Sequence, residues 1–314
     1  MDERNSADRH WLVAGWPGMS NVAVIACGYL VKKLGLMPVA VIDGGGRFEV
    51  GAVNVRDGRV QIPEPPRTML YSGKAGDGGP TVTVMIAEAQ PDSNAMTFAR
   101  DLIDRARQEG ANHLLTFASM ATQLEPTQEP RVFGATTDDR LADELVTASI
   151  EPLKEGEIGG MNGVMVGAAA VAGLPGVCLL GEIPYYAAQI ANPSAASAVI
   201  GAFSRLTGID IDRDELEKHA DRVDRLLVRL REHMRTGSTE APDLEGLEEE
   251  AEEVKEPAKP ESGLGMAGRR RLEEMFDSVR RDQTKSVDLK KELDRLGVFK
   301  QYEDRFLDLF RRAG

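Results

Sequence analysis

The sequence predicts an α/β protein of three layers, in which a mostly parallel or mixed sheet lies between two layers of helices. Three observations predict this class. Short apolar, β-branched runs alternate with longer segments whose apolar residues recur at helical spacing. The run at residues 177–180 is apolar at every position, which is typical of a strand covered on both faces. The length of 314 residues is enough for one large domain and an appended segment.

The predicted strands begin near the start of the chain. Residues 11–15 form the first one, which ends at a Trp-Pro-Gly turn and leads into a helix. Alternating runs on either side of an Asp-Gly pair at 57–58 predict a hairpin at one edge of the sheet, within residues 47–62. Further strands are predicted at residues 39–42, 82–86, 114–117, 131–135 and 177–180.

The predicted helices fill the intervals between the strands. The first covers residues 22–34, and the second covers residues 94–108 with Ser93 as its N-cap. Pro193 is typical of a helix start and precedes an alanine-rich helix. The remaining helices are predicted at residues 138–147, 164–171, 195–206 and 212–234.

Charge is distributed unevenly along the chain. In total, 38 Lys and Arg stand against 51 Asp and Glu, and the net charge of −13 argues against nucleic-acid binding. Residues 236–262 carry ten acidic side chains, two lysines and three prolines. Such a segment buries too little apolar surface to fold, so we predict an acidic disordered linker. The alternative is a short acidic helix, because Leu244, Leu247, Ala251 and Val254 recur at helical spacing.

The linker divides the chain into an α/β domain at residues 1–235 and a C-terminal helical segment at residues 263–314. About fifty residues are few for an independent core, so we expect this segment to dock on the main domain, on another subunit or on a partner. A short helix is predicted at 287–296, between two apolar helical faces. The first face consists of Leu272, Met275, Phe276 and Val279, and the second of Phe299, Tyr302, Phe306, Leu309 and Phe310.

The cytoplasm is the expected compartment. No run approaches the roughly 18 apolar residues of a membrane span, and residues 1–10 lack the apolar core of a signal peptide. Two cysteines, Cys27 and Cys178, cannot form a disulfide framework. We therefore expect neither membrane nor nucleic-acid partners.

A first candidate site lies where the first strand turns into its helix. In open α/β sheets, ligands bind at the carboxyl ends of strands, where helix N-termini present free N–H groups. Here Gly18 lets the backbone approach a ligand, and Asn21 could orient one. The alternative is a tight turn in which Ser20 or Asn21 caps the helix.

A second candidate is the glycine-rich lead into the helix predicted at residues 164–171. Gly160, Asn162 and Gly163 belong to it, and its free N–H groups could bind a carboxylate or a phosphate. The alternative is close packing of small residues against the sheet or against another subunit.

A third candidate is a pair of acidic residues at strand ends, Glu88 and Glu182. Two carboxylates that meet in a cleft could act as general acid and base, or hold a metal ion through water. The alternative is that each of them caps a helix or pairs with an arginine.

The sequence offers little other support for catalysis. The four histidines lack the spacing of zinc ligands, and Ser119 lacks the flanking glycines of a nucleophile elbow. Cys27 and Cys178 lie in predicted core elements, where thiols are inert. We therefore predict no catalytic residue, metal ion or cofactor.

Four motifs in order give the chain a family resemblance. They cover roughly residues 10–235 and resemble the proteasome assembly chaperone family, in its archaeal and bacterial branch. The motifs are GWPGMSNVA at 15–23, GGMNG at 159–163, GLPGVCLLGEIP at 173–184 and NPSAA at 192–196.

The resemblance implies a three-layer fold of the nucleoside-phosphorylase type, self-association into homo-oligomers, and protein partners such as proteasome subunits. The sequence ends in Arg311-Arg312-Ala313-Gly314, without the C-terminal hydrophobic-Tyr-any motif through which such chaperones commonly dock into proteasome pockets.

Two functions follow as hypotheses. The first is a non-catalytic protein-binding or assembly factor that acts as an oligomer. The alternative is an enzyme, or a binder of nucleotides or small carboxylates, that uses the strand-end cleft.

Overall fold

The computed structural model describes residues 8–56 and 58–236, together with seven residues between 275 and 293. The chain divides into two compact units, Met1–Lys255 and Glu256–Gly314. The described strands and α-helices of the first unit are, in chain order, β1 (His10–Gly15), α1 (Val22–Lys33), β2 (Met37–Asp43), β3 (Asn54–Arg56), β4 (Arg59–Gln61), β5 (Arg67–Lys74), β6 (Thr81–Ala87), α2 (Ala95–Gln108), β7 (His113–Thr122), β8 (Val132–Thr136), α3 (Asp139–Thr147), β9 (Glu151–Pro152), α4 (Gly160–Val171), β10 (Gly176–Pro184), α5 (Pro193–Thr207) and α6 (Asp214–Thr236).

Eight of these strands form one mixed sheet in the order β2-β5-β6-β1-β7-β10-β8-β9. The four central strands, β6, β1, β7 and β10, run parallel to one another. The strands that flank them, β5 and β8, are antiparallel to their central neighbours. The carboxyl ends of the four central strands therefore lie side by side at one end of the sheet.

The strand β1 shows how the two helical layers cover the sheet. Trp11 and Val13 pack into a cluster on one face, which also contains side chains of α1 and α5. Leu12 and Ala14 pack into a cluster on the other face, which contains side chains of α2 and α4. This alternation is the two-residue period of a strand buried on both sides. The predicted three-layer α/β/α architecture is confirmed.

Two strands of the main sheet, β5 and β9, were not predicted. The hairpin was predicted at the right residues but was wrongly assigned to an edge of the main sheet. β5 lacks a clean alternation, because it buries both Leu70 and Tyr71, and β9 has only two residues. The hairpin does form, as β3 and β4, but as a separate two-stranded sheet. β5 takes the position beside β2, the edge strand, since local pattern does not specify which strands become neighbours.

The start of α2 differs from its prediction. Its N-cap is Asn94 and not Ser93, and the helix begins at Ala95. Asn94 lies in the left-handed region at φ 56°, a conformation that asparagine tolerates better than most residues, and its side chain makes no capping hydrogen bond. In contrast, α5 starts as predicted, with Pro193 in its first turn and Asn192 accepting a hydrogen bond from the Ala195 N–H.

The described residues of the second unit are all helical. Four of them are buried, namely Phe276, Val279, Leu289 and Leu293. Phe276 and Val279 are three residues apart, and Leu289 and Leu293 are four residues apart, so each pair has the spacing of residues that share a helical face. Apart from Thr236, the predicted linker lies outside the described residues, and so does the predicted face from Phe299 to Phe310.

Candidate functional site at the strand ends

Three segments meet at the carboxyl ends of the central strands. The first is the loop of residues 16–21, which follows β1 and ends in a short 3-10 helix, Met19–Asn21. The second is the first turn of α4, and the third is the segment of residues 185–192 that follows β10. The glycine-rich stretch was expected to precede its helix, but Gly159 is the N-cap and residues 160–163 already lie in the first turn.

Asn162 connects α4 to the end of β1. Its Oδ1 accepts a hydrogen bond of 2.9 Å from the Trp16 backbone N–H, and its Nδ2 donates one of 3.1 Å to the Trp16 carbonyl. Its own backbone carbonyl accepts a 2.8 Å hydrogen bond from the Thr116 hydroxyl of β7. All three residues are buried. Asn162 therefore satisfies backbone groups that would otherwise lie buried without partners.

Gln90 makes the second connection between the same two segments. Its Nε2 donates a 2.6 Å hydrogen bond to the Pro17 carbonyl, and its Oε1 accepts one of 2.8 Å from the Met161 N–H. Gly160 lies against it at φ +67°, and a Cβ on Gly160 would come within 3.0 Å of Nε2. Gln90 was not among the predicted site residues, although it lies only three residues beyond the end of β6, close to the predicted Glu88.

Ser20 fastens the loop to the segment that follows β10. Its backbone N–H donates to the Ala188 carbonyl at 2.8 Å, and its hydroxyl donates to the Ala187 carbonyl at 3.0 Å. Its carbonyl accepts a 3.0 Å hydrogen bond from the Asn192 N–H. Ser20 is buried and lies in the left-handed region at φ 54°, so these bonds hold a conformation that is unfavourable for serine.

The other predicted residues of these segments occupy distinct places. Asn21 is the N-cap of α1, also at a left-handed φ of 50°, and its side chain makes no capping hydrogen bond. It is partly exposed. The Gly18 carbonyl accepts a hydrogen bond from the Asn21 N–H. Gly18 also lies near Asn162, because a Cβ added to Gly18 would be 3.7 Å from the Asn162 Nδ2. Gly163 is packed so closely against Ile158 that a Cβ would lie 1.9 Å from the Ile158 carbonyl oxygen.

Glu88 pairs with an arginine of the neighbouring strand. Its carboxylate accepts hydrogen bonds of 2.9 Å from the backbone N–H and from the guanidinium of Arg67. Both side chains are about half exposed, which leaves such a pair with little net stabilising effect.

Glu182 pairs with an arginine in a more buried setting. Its carboxylate accepts three hydrogen bonds from Arg131, one from the backbone N–H and two from the guanidinium, at 2.8 to 3.1 Å. Burial by itself would raise the pKa of Glu182, but the hydrogen bonds and positive charge of Arg131 outweigh it and lower the pKa below its usual value. Glu182 therefore remains ionised, and it faces an open groove that Thr122 and Gln128 also line.

The structure does not bring the two acidic residues together. β1 and β7 lie between β6, which precedes Glu88, and β10, which contains Glu182. Three strand spacings separate them by about 14 Å across the sheet. The alternative that each pairs with an arginine is what the structure shows.

The remaining reactive side chains near the sheet are occupied or buried. Ser119 donates its hydroxyl to the Met19 carbonyl at 2.9 Å. Burial raises the pKa of Cys27, and it raises the pKa of Cys178 to about 12, so both thiols are protonated at neutral pH. Within the part of the chain that the structure describes, no three His, Cys, Asp or Glu residues are grouped to hold a metal ion.

Comparison with known proteins places this fold in a family. The model of the PAC2 family matches residues 12–231, from β1 to α6. The chain belongs to the PAC2 family. It is 31% identical over 252 residues to an uncharacterised protein of Methanocaldococcus jannaschii, across 75% of this chain and 90% of that protein. The expected family resemblance is confirmed.

Several solved structures share this PAC2 fold. One is the proteasome-assembly chaperone homologue of Mycobacterium tuberculosis, with a TM-score of 0.59, 18% identity, and coverage of 69% of this chain and 93% of that one. Two others come from Pyrococcus furiosus. PbaB, an archaeal proteasome activator, has a TM-score of 0.59, 22% identity, and coverage of 71% and 93%. PbaA, an archaeal homologue of proteasome-assembly chaperone, has a TM-score of 0.54, 23% identity, and coverage of 72% and 93%.

None of the described helices of this PAC2 chain is both long enough and apolar enough to cross a membrane.

Proposed function

We propose that this chain is a non-catalytic protein-binding factor that acts as an oligomer and handles proteasome subunits during their assembly. The observation that carries the proposal is membership of the PAC2 family over residues 12–231. Two proteins with the same fold, a proteasome-assembly chaperone homologue and a proteasome activator, support the choice of partner.

The geometry at the strand ends supports the non-catalytic part of the proposal. Both polar atoms of the Asn162 amide bind the Trp16 backbone, and both polar atoms of the Gln90 amide bind backbone groups of the two segments that meet there. Because all four amide atoms bind backbone groups, we infer that both side chains position the loops, and each amide nitrogen keeps one further N–H. The side chains in question fix the loops and hold the start of α4 against β1.

Reconstitution tests the proposal. The full chain is mixed with purified α-type and β-type proteasome subunits of its source organism, and complexes are followed by gel filtration with light scattering. We expect co-elution with unassembled subunits and a faster appearance of core particles on native gels. An assembly rate that is identical with and without the chain, together with no co-elution, would contradict the proposal.

The alternative hypothesis, a small-molecule binder at the strand ends, is tested separately. Binding to the folded state raises the midpoint of thermal unfolding, and the increase grows with the logarithm of the ligand concentration once that concentration exceeds Kd. Nucleotides, nucleosides and small carboxylates are the probes, and Asn21→Gly is the variant, since Asn21 is partly exposed and its side chain caps nothing. A midpoint shift in the parent chain that Asn21→Gly abolishes would favour this alternative over the assembly factor.

A further inference from the structure

Residues 37–62 carry an unusual share of exposed aliphatic side chains. They contain β2, the edge strand of the main sheet, and the separate hairpin of β3 and β4. Patches of exposed apolar side chains mark interaction sites in folded proteins. Eight large aliphatic residues in this segment are exposed: Met37, Val39, Val41, Val50, Val53, Val55, Val60 and Ile62.

The exposed residues of β2 lie on one side of the strand. Ala40 and Ile42 point to the other side and pack against the core cluster of α2 and α4. Met37, Val39 and Val41 alternate with them and are 60%, 54% and 52% exposed. The helical layer that contains α1 therefore does not reach this edge of the sheet. We call these three side chains the β2 strip.

The hairpin has an aliphatic face of its own. Val55 lies opposite Val60 in the β3–β4 pairing, so the two share a face. Val53 and Ile62 continue the same alternation beyond the strand ends. All four are exposed, up to 75% for Ile62. A two-stranded hairpin is marginally stable in water by itself, so burial of this face against another surface would stabilise it.

We infer that the aliphatic face of this hairpin binds the β2 strip of a second copy of the chain. The inference rests on the proposed function in one respect, the self-association of the chain. Both surfaces are exposed within one chain, which means that the hairpin does not cover its own β2 strip. In a second copy the same two surfaces are present, and each aliphatic face can be buried against the other.

Charge favours a second copy as the occupant. By sequence, residues 37–62 contain three acidic and three basic residues, whereas residues 1–235 as a whole carry a net charge of −8. Two identical acidic bodies repel each other over most of their surface. A neutral aliphatic segment is where two such copies approach without like-charge repulsion, since burying it desolvates little net charge.

Mass measurement is the first test. The full chain is compared with a Val55→Ser/Val60→Ser double variant by light scattering over a wide range of concentration. The control is Val146→Ser/Val171→Ser, which removes the same groups from positions on α3 and α4 that are 64% and 67% exposed. We expect the hairpin variant to fall in mass by about twofold or more, to the 34.1 kDa of one chain, while the control keeps the parent mass.

Crosslinking tests the pairing of the two surfaces. A Val39→Cys chain is mixed with a Val60→Cys chain under mild oxidation, and the native thiols do not interfere because both are buried. We expect a disulfide between position 39 of one copy and position 60 of another. A Val146→Cys and Val171→Cys mixture is the matched control and should give none. A parent chain that is monomeric at every concentration would overturn the inference.

The remaining outcomes separate this inference from the proposed function. If the hairpin variant stays oligomeric and no 39–60 disulfide forms, this surface is not the contact between copies, while the assembly role stands. If the variant stays oligomeric but no longer co-elutes with proteasome subunits, the hairpin binds the subunits and the inference is overturned. If the variant becomes monomeric and the parent chain does not affect proteasome assembly, the contact stands and the proposed function fails.

Discussion

The side-chain amide of Asn162 exchanges two hydrogen bonds with the backbone of Trp16, which lies 146 residues earlier in the chain. This reciprocal pair joins the first turn of α4 to the end of β1. It explains why a polar side chain is buried at this end of the sheet. It also makes Asn162 a residue that holds the fold together.

Replacing Asn162 by leucine should destabilise the protein. The backbone N–H and carbonyl of Trp16 would then be buried without partners, at about 1–3 kcal/mol for each group. We expect the free energy of unfolding, measured with urea, to fall by about 2–6 kcal/mol. Asn21→Gly is the control, because glycine relieves the left-handed φ of 50° and no capping bond is lost. An Asn162→Leu chain as stable as the parent would contradict this account.

Two glycines of α4 should respond oppositely to alanine. A Cβ at Gly163 would lie 1.9 Å from the Ile158 carbonyl oxygen, so Gly163→Ala forces the preceding turn to shift. We expect a loss of about 1–3 kcal/mol, as in overpacked cores. At Gly167 the nearest atom to a Cβ is the Met96 methyl at 3.8 Å, and Gly167→Ala should gain up to about 1 kcal/mol from helix propensity. The measurement is urea unfolding of both variants, and equal effects would count against the packing described.

The pair of Glu182 and Arg131 predicts a pH dependence of stability. The pKa of Glu182 is lowered in the folded protein. The carboxylate therefore stabilises the fold fully at pH values above 4.5, the ordinary pKa of glutamate. This contribution is lost as the pH falls through the lowered pKa. We expect the advantage of the parent chain over Glu182→Gln, in unfolding free energy, to be largest near neutral pH and to shrink under acid conditions.

A comparison with Glu88 checks that burial causes this effect. Glu88→Gln breaks an analogous pair with Arg67, but both side chains there are about half exposed. We expect Glu88→Gln to change the free energy of unfolding by less than about 1 kcal/mol at neutral pH. A larger loss for Glu88→Gln than for Glu182→Gln would show that the two pairs have been ranked wrongly.

The two native cysteines should be unreactive in the folded protein. Cys27 and Cys178 are both fully buried, and their raised pKa values leave almost no thiolate at pH 8. A chromogenic disulfide reagent should therefore label neither thiol in buffer and both in denaturant. A Val146→Cys chain gives the positive control, since that position is exposed. Rapid labelling of the native parent chain would mean that one of these elements opens locally.

The parts of the fold that were predicted correctly are those in which local pattern and burial agree. β1 and β10 are short apolar runs, and each is buried as a central strand must be. β5 was missed because its residues Leu70 and Tyr71 are consecutive and both buried, which breaks the alternation of an outer strand. Its place beside β2 depends on long-range pairing that no local pattern reports.

The candidate site was predicted in outline, but its connections were not. Sequence position was sufficient to place Asn162 and Ser20 near strand ends. The partners of these residues are backbone groups, such as the carbonyls of Trp16 and Ala187, which any sequence would supply. Gln90 escaped notice for the same reason. The arginine partners of Glu88 and Glu182 lie 21 and 51 residues away, at separations that spacing rules do not cover.

The central position of β1 has a consequence for how the chain is made. β1 leaves the ribosome well before its two neighbours in the sheet, β6 and β7, which begin at Thr81 and His113. More than a hundred residues must be translated before this apolar strand is paired on both sides. During that interval β1 is an exposed, unpaired apolar segment of the nascent polypeptide. Such segments are prone to aggregate and are bound by molecular chaperones during translation.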